Sequence, residues 1–157
     1  MEMSAAKPIA NAQNVMQLEH PKLGVIAYSA DDIFFFPQGL LGYERQKHYI
    51  LVEREEHQPF LWMLNTEDTN LNFLIIDPQV FYPEYEPNIS KRDLNELQID
   101  NPQSLFMYVI ITLDQDIHKS TGNLSAPILL NMTKRIGKQL VLLDDKYSTK
   151  YPIHKPE

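Results

Sequence analysis

A mainly β, single-domain, antiparallel barrel-like fold with one or two short helices is expected from this sequence. Three observations carry that expectation. Strand-sized apolar stretches recur along the chain, with turn signals between them roughly every 8–12 residues. β-Branched and aromatic residues concentrate in those stretches. Only one stretch, residues 90–97, opens with clear helix-start chemistry. Strands do not alternate with helices, which favours an antiparallel barrel or sandwich over a parallel α/β sheet.

The elements follow in order. Residues 1–20 are polar and small, without a clear period. They read as a disordered N-terminal tail with room for a short helix over 10–18, and residues 21–157 read as the folded domain. Residues 24–28 and 33–36 are short apolar runs joined by Ser29-Ala30-Asp31-Asp32, the pattern of a β-hairpin. Pro37 withholds a ladder donor and Gly39 frees the backbone, so the second strand stops there. Residues 40–44, ending past Gly42, continue as a loop or one helical turn.

Residues 48–53, 60–64 and 72–76 are further strands, separated by the charged loop 54–59 and the polar stretch 65–70. Asp77-Pro78 ends the third, and the aromatic stretch 80–87 holds two prolines, so it is irregular or an edge. Ser90 is the expected N-cap, with Asp93 three residues on and Leu94 and Leu97 on the buried side. Residues 105–113 read as a central strand, and 114–123 as a polar loop. Residues 128–131 and 139–143 close the series, with the turn placed at 135–138 and a surface tail from 147 onward.

Composition narrows the function. The chain has 157 residues, ordinary globular composition and no cysteine, so thiol and disulfide chemistry are excluded. Residues 1–20 lack the basic start and apolar run of a signal peptide, and no run approaches the ~20 apolar residues of a membrane span. The expected location is therefore cytoplasmic, without membrane contact. Three Asn-x-Ser/Thr triplets, at Asn88, Asn123 and Asn131, then read as chance.

Net charge is −7 and unevenly spread. Residues 53–116 hold 13 acids and 3 bases, while residues 117–157 hold 3 acids and 7 bases. A nucleic-acid binder shows a dominant basic face. The acidic middle disfavours direct nucleic-acid binding and would attract a basic protein.

A catalytic kit is missing from the pattern. The histidines at 20, 48, 57, 118 and 154 include no pair three or four apart. There is no nucleophile elbow, P-loop or dinucleotide fingerprint. The paired carboxylates fall in expected turns and read as solvated. The basic residues from Lys134 to Lys150 lack interleaved stacking aromatics, apart from Tyr147 and Tyr151. The run Phe34-Phe35-Phe36 and the group Phe81, Tyr82 and Tyr85 are different. Consecutive aromatics on a strand cannot share one face, so some belong either at a rim, where aromatics often anchor partners, or under a covering loop.

The ordered motifs say more. Phe36-Pro37-Gln38-Gly39-Leu40-Leu41-Gly42-Tyr43-Glu44 is followed by Leu64-Asn65-Thr66-Glu67-Asp68 and then Phe73-Leu74-Ile75-Ile76-Asp77-Pro78. Later come Thr121-Gly122-Asn123-Leu124-Ser125-Ala126-Pro127-Ile128, Gly137-Lys138-Gln139 and Tyr147-Ser148-Thr149-Lys150-Tyr151-Pro152-Ile153. Taken together over residues 23–153, the chain resembles the bacterial flagellar assembly factor FliW family. The resemblance implies a cytoplasmic, barrel-like protein that is not an enzyme, needs no cofactor and is monomeric when free. Its implied partners are the RNA-binding translational repressor CsrA, acted on non-competitively, and flagellin, which titrates it. Gln38, Asn65, Glu67, Asp68, Tyr82, Tyr85 and Asn123 are the contact candidates, while Pro37, Gly39, Gly42 and Pro127 are expected to set backbone geometry. Two alternatives stay open: an export chaperone for flagellin without CsrA binding, and a small-ligand β-barrel or hydrolase with an aromatic-lined cavity.

Overall fold

A computed structural model describes residues 15–153. The chain enters as an antiparallel hairpin, β1 (Val15–His20) against β2 (Gly24–Ser29), in register from Val15 opposite Ser29 to His20 opposite Gly24. The folded part therefore starts before residue 21, and residues 15–18 are strand rather than helix. Leu18 and His20 alternate inward while Gln17 and Glu19 face out, a period of two that a histidine on the buried side conceals. The turn is closed by His20, whose Nδ1 accepts from the backbone N–H groups of Lys22 and Leu23 at 3.0 and 3.1 Å. The rest of the expected tail, residues 1–14, lies outside the described residues.

β2 does not pair with the next strand as expected. The Asp32 carboxylate accepts from the Ser29 backbone N–H at 2.8 Å, turning the chain away. β3 (Phe34–Phe35) then joins β4 (His48–Glu53), β5 (Leu61–Asn65), β6 (Asn72–Ile76) and β7 (Leu105–Thr112) as successive antiparallel neighbours. After the two-residue β8 (Thr121–Gly122) come β9 (Ile128–Asn131), β10 (Ile136–Gln139) and β11 (Tyr151–Pro152). β10 pairs with β3 in parallel and with β9 antiparallel, and β9 pairs with the first half of β7. Those contacts close a seven-strand barrel. β8 and β11 extend from the last two residues of β7.

The expected strand at 139–143 sits three residues earlier, as β10, and its turn is at 132–135. Asn131 Oδ1 accepts from the backbone N–H groups of Thr133 and Lys134, both at 3.0 Å, and Arg135 takes a positive φ of 58°. Gly137 suggested a turn but lies mid-strand, because any Cβ there would overlap the Phe36 ring. β8 and β11 were hidden in stretches expected to be loops, since two-residue strands carry no periodicity.

Alternation along the strands builds three apolar layers. Phe34, Phe36, Tyr49, Met63, Ile75, Ile128 and Leu130 fill the barrel interior. Ile50, Val52, Trp62 and Leu64 face outward and are covered by Leu18, Ile26 and Tyr28 of the first hairpin. Ile76, Val109 and Ile111, also outward, are covered by Tyr85, Leu124 and Tyr147. Full burial of each large side chain contributes about 1.5–3 kcal/mol before entropy is counted. The helix α1 (Lys91–Glu96) forms as expected: Ser90 Oγ accepts from the Asp93 N–H at 3.0 Å and the Asp93 carboxylate accepts from the Ser90 N–H at 3.3 Å. Leu97 is fully buried at its end.

Candidate protein-binding surface

The segment 36–47, between β3 and β4, is a loop with nearly every turn hydrogen-bonded. Gly39 N–H donates to Phe36 O at 2.9 Å, Tyr43 N–H to Leu40 O at 2.7 Å and Gln46 N–H to Tyr43 O at 3.1 Å. Lys47 Nζ donates to Pro37 O at 2.5 Å, and Leu41 N–H donates to Gln139 Oε1 of β10 at 2.8 Å. Gly39 has φ +64°, and a Cβ there would lie 2.6 Å from the backbone of Tyr43 and Glu44, so no other residue fits. Gly42 has φ +88°. Its N–H donates to Glu44 Oε2 at 3.0 Å, and that bond holds the Glu44 carboxyl below its ordinary range.

This fixed loop presents apolar side chains to solvent. Leu41 is 66% exposed and Tyr43 45%, with Gln38 and Pro37 exposed beside them. Tyr43 packs edge-on against Phe73 at 5.7 Å. Phe35, the outward member of the aromatic run, is 43% exposed and lies against His48 at 5.4 Å. His48 Nδ1 in turn lies 3.8 Å from Glu67 Oε1 in the β5–β6 turn. The loop and this turn sit at the same end of β4 and β5, where Tyr49 pairs with Asn65. A preordered apolar knob with a polar rim is what a protein interface needs, because little entropy is lost on docking.

The seven contact candidates separate on burial. Gln38 and Glu67 are exposed on this surface, with Asp68 half-buried in the same turn. Asn65 is 1% exposed and its Oδ1 accepts from the backbone N–H groups of Glu67 and Asp68, both at 2.9 Å, so it shapes the turn. Burial pushes the neighbouring Tyr49 phenol up to about 12, with the Asn65 side chain opposing. Asn123 does similar turn work, accepting from Ser125 N–H at 3.0 Å. Tyr85 is interior: its hydroxyl donates to Leu124 O at 2.5 Å, and burial, with Tyr147 beside it, raises its pKa. Tyr82 is half-buried and stacks on Tyr151 at 5.0 Å. Asn65 and Tyr85 therefore offer no side-chain surface to a partner. Pro127 is buried, and its carbonyl accepts from Leu140 N–H at 2.8 Å. Phe35 is the rim member expected of the aromatic run, while Leu41 and Tyr43 are exposed without having stood among the sequence candidates, although large apolar residues in a glycine-bounded loop are a readable signal.

Charge is partly internal. Lys138 on β10 reaches Asp93 at 2.9 Å and also bonds Glu96, which joins the basic end of the chain to the acidic middle. Lys134 reaches Asp100 at 3.0 Å. Among the described residues, no group of three or more His, Asp or Glu is placed to hold a metal, and no helix is long and apolar enough to cross a membrane.

Known proteins resemble this chain over nearly its whole length. A family model described as FliW protein matches residues 17–153. The flagellar assembly factor FliW of Thermoanaerobacter pseudethanolicus is 36% identical over 139 residues, 88% of this chain and 93% of that protein. The flagellar assembly factor FliW of Shouchella clausii is 36% identical over 139 residues, 88% of this chain and 95% of that protein. A crystal structure of the flagellar assembly factor FliW superimposes with a TM-score of 0.85 at 32% identity, covering 90% of this chain and 99% of that one.

Proposed function

Since the chain belongs to the FliW family, whose members are named flagellar assembly factors, we propose that it is a cytoplasmic regulator that binds CsrA and relieves repression of flagellin mRNA. Flagellin, when abundant, occupies the protein and releases CsrA. The role is one of binding rather than catalysis. The family match across residues 17–153 carries this reading. The filled barrel interior supports action through the surface rather than through an internal ligand cavity. The acidic middle supports it too: a basic RNA binder is drawn to that field, which repels RNA approaching the complex.

The test mixes labelled flagellin leader RNA, CsrA and this protein. RNA occupancy of CsrA falls as the protein is added, and flagellin restores it. Unchanged RNA occupancy at saturating protein would remove the regulator reading. Displacement that ignores ionic strength would remove the electrostatic part alone.

A further inference from the structure

Strands β4, β5 and β6 border a second apolar surface at the end away from the β3–β4 loop. The β4–β5 connection and the segment after β6 lie opposite the loop that presents Leu41. There, Phe60, Ile76, Val80, Phe81, Ile117 and Ile153 line an open cleft of about 510 Å³. Val80 is 56% exposed and Ile117 58%, both on single-turn segments at the mouth. Gly122 lets the lining residues Phe81 and Ile153 pack close behind the cleft, since a Cβ there would lie 2.9 Å from Phe81 and 3.4 Å from Ile153.

The chemistry of the walls selects the occupant. Small-molecule sites combine apolar walls with several placed polar groups. Among the described residues, His118 is the one lining residue with a polar side chain, so little would orient a small molecule. The chain beside the lining residues, which also include Pro59, is mostly acidic. Within four residues along the chain of a lining residue stand the exposed carboxylates Glu55, Glu56, Asp77, Glu84, Asp114 and Asp116, against Lys119 and Lys150 among the described residues. Asp77 and Asp116 start the two turns that carry Val80 and Ile117, each accepting a backbone N–H of its own turn.

We infer that this cleft docks a partner segment whose bulky apolar side chains are flanked by lysine or arginine. The apolar anchors enter between Phe60, Phe81 and Ile153, and the flanking cations meet the carboxylates outside. This adds a surface to the protein-binding reading and is tested without CsrA or flagellin, so the two stand or fall separately.

The probe is a synthetic peptide of Leu and Phe flanked by lysines, added to the full chain with labelled isoleucine methyls. Its counterpart carries glutamates instead. The lysine peptide shifts the Ile76, Ile117 and Ile153 methyls saturably and leaves Ile26 and Ile128 unmoved. The glutamate peptide binds about tenfold more weakly. Val80→Ser with Ile117→Ser, both exposed positions, lowers affinity about tenfold with an unchanged spectrum elsewhere. Equal shifts from both peptides, shifts centred elsewhere or no shift overturn the inference. So do methyl contacts in the free protein with residues 1–14 or 154–157, which would make the chain's own ends the occupant.

Discussion

Lys138 and Asp93 meet at 2.9 Å with side chains only 16% and 12% exposed, tying the first turn of α1 to the barrel strand β10. The Asp93 carboxylate already serves the helix cap through Ser90, so one group holds both the helix start and its attachment. Burial opposes ionisation of Asp93, but hydrogen bonds from Lys138 and Ser90 overcome it and hold the pKa below the ordinary 3.8. Burial likewise opposes Lys138, and its bonds to Glu96 and Asp93 raise its pKa above 10.5.

Lys138→Met should destabilise the fold by about 1–3 kcal/mol in urea unfolding, because it leaves Asp93 largely buried without its cation. The stability from Asp93 is present above pH 3.8 and lost as pH falls through the lower folded value. That from Lys138 is present below pH 10.5 and lost as pH rises through the higher folded value. The wild-type profile should therefore fall at both extremes, and both falls should be shallower in the variant.

Gly137→Ala should cost about 1–3 kcal/mol, since the new methyl overlaps the Phe36 ring inside the barrel. Pairing it with Phe36→Leu should recover part of that loss. Additive costs in the double-mutant cycle would mean that the two positions do not share the space.

Tyr85→Phe should cost about 1–2 kcal/mol, because the Leu124 carbonyl then has no hydroxyl to accept from. Partner binding should stay unchanged at matched folded concentration, which separates this interior residue from the surface candidates.

Leu41→Ser should leave stability within about 0.5 kcal/mol of wild type, as expected for an exposed side chain. It should weaken binding to at least one of the two proposed partners, CsrA or flagellin, by about tenfold in titration calorimetry. Equal affinity for both partners would remove the loop from the interface.

His20 gives a separate response to acid. Burial lowers its pKa below 6.5, Lys22 adds to that, and Asn72 opposes it. Its Nδ1 must stay unprotonated to accept from Lys22 and Leu23. Its contribution is present above pH 6.5 and lost as pH falls through the folded value. His20 and His57 both pack edge-on against Trp62, the only tryptophan in the chain, and Trp62 Nε1 donates to His57 Nδ1 at 3.0 Å. Trp62 fluorescence should therefore change on acidification before global unfolding, and His20→Gln should remove part of that change.

The strands that could be read from the sequence were those rich in β-branched and aromatic residues. β4, β6 and β9 match the expected limits because their apolar runs end at charge or polar turns. The sequence concealed two kinds of feature. β1 depends on a buried histidine, and the start of β10 on an asparagine turn, neither of which hydropathy registers. At the surface, Asn65 and Asn123 looked like contacts because they are polar, yet their carbonyl oxygens are committed to backbone N–H groups. Gln38 and Glu67 are exposed, as expected of residues in legible loops. The cleft could not, because its walls come from four separate stretches of chain.

The parallel seam between Phe35 and Ile136 has a bearing on synthesis. The Leu41–Gln139 bond beside it spans 98 residues. Until β9 and β10 have been made, β3 is a bare edge and Phe36 has no β10 above it. The nascent protein is then a curled sheet open along one side, and it becomes a closed cylinder only once β9 and β10 have emerged. A ribosome-stalled chain lacking β9 and β10 should be cut readily by protease between β3 and β4, where the finished protein resists.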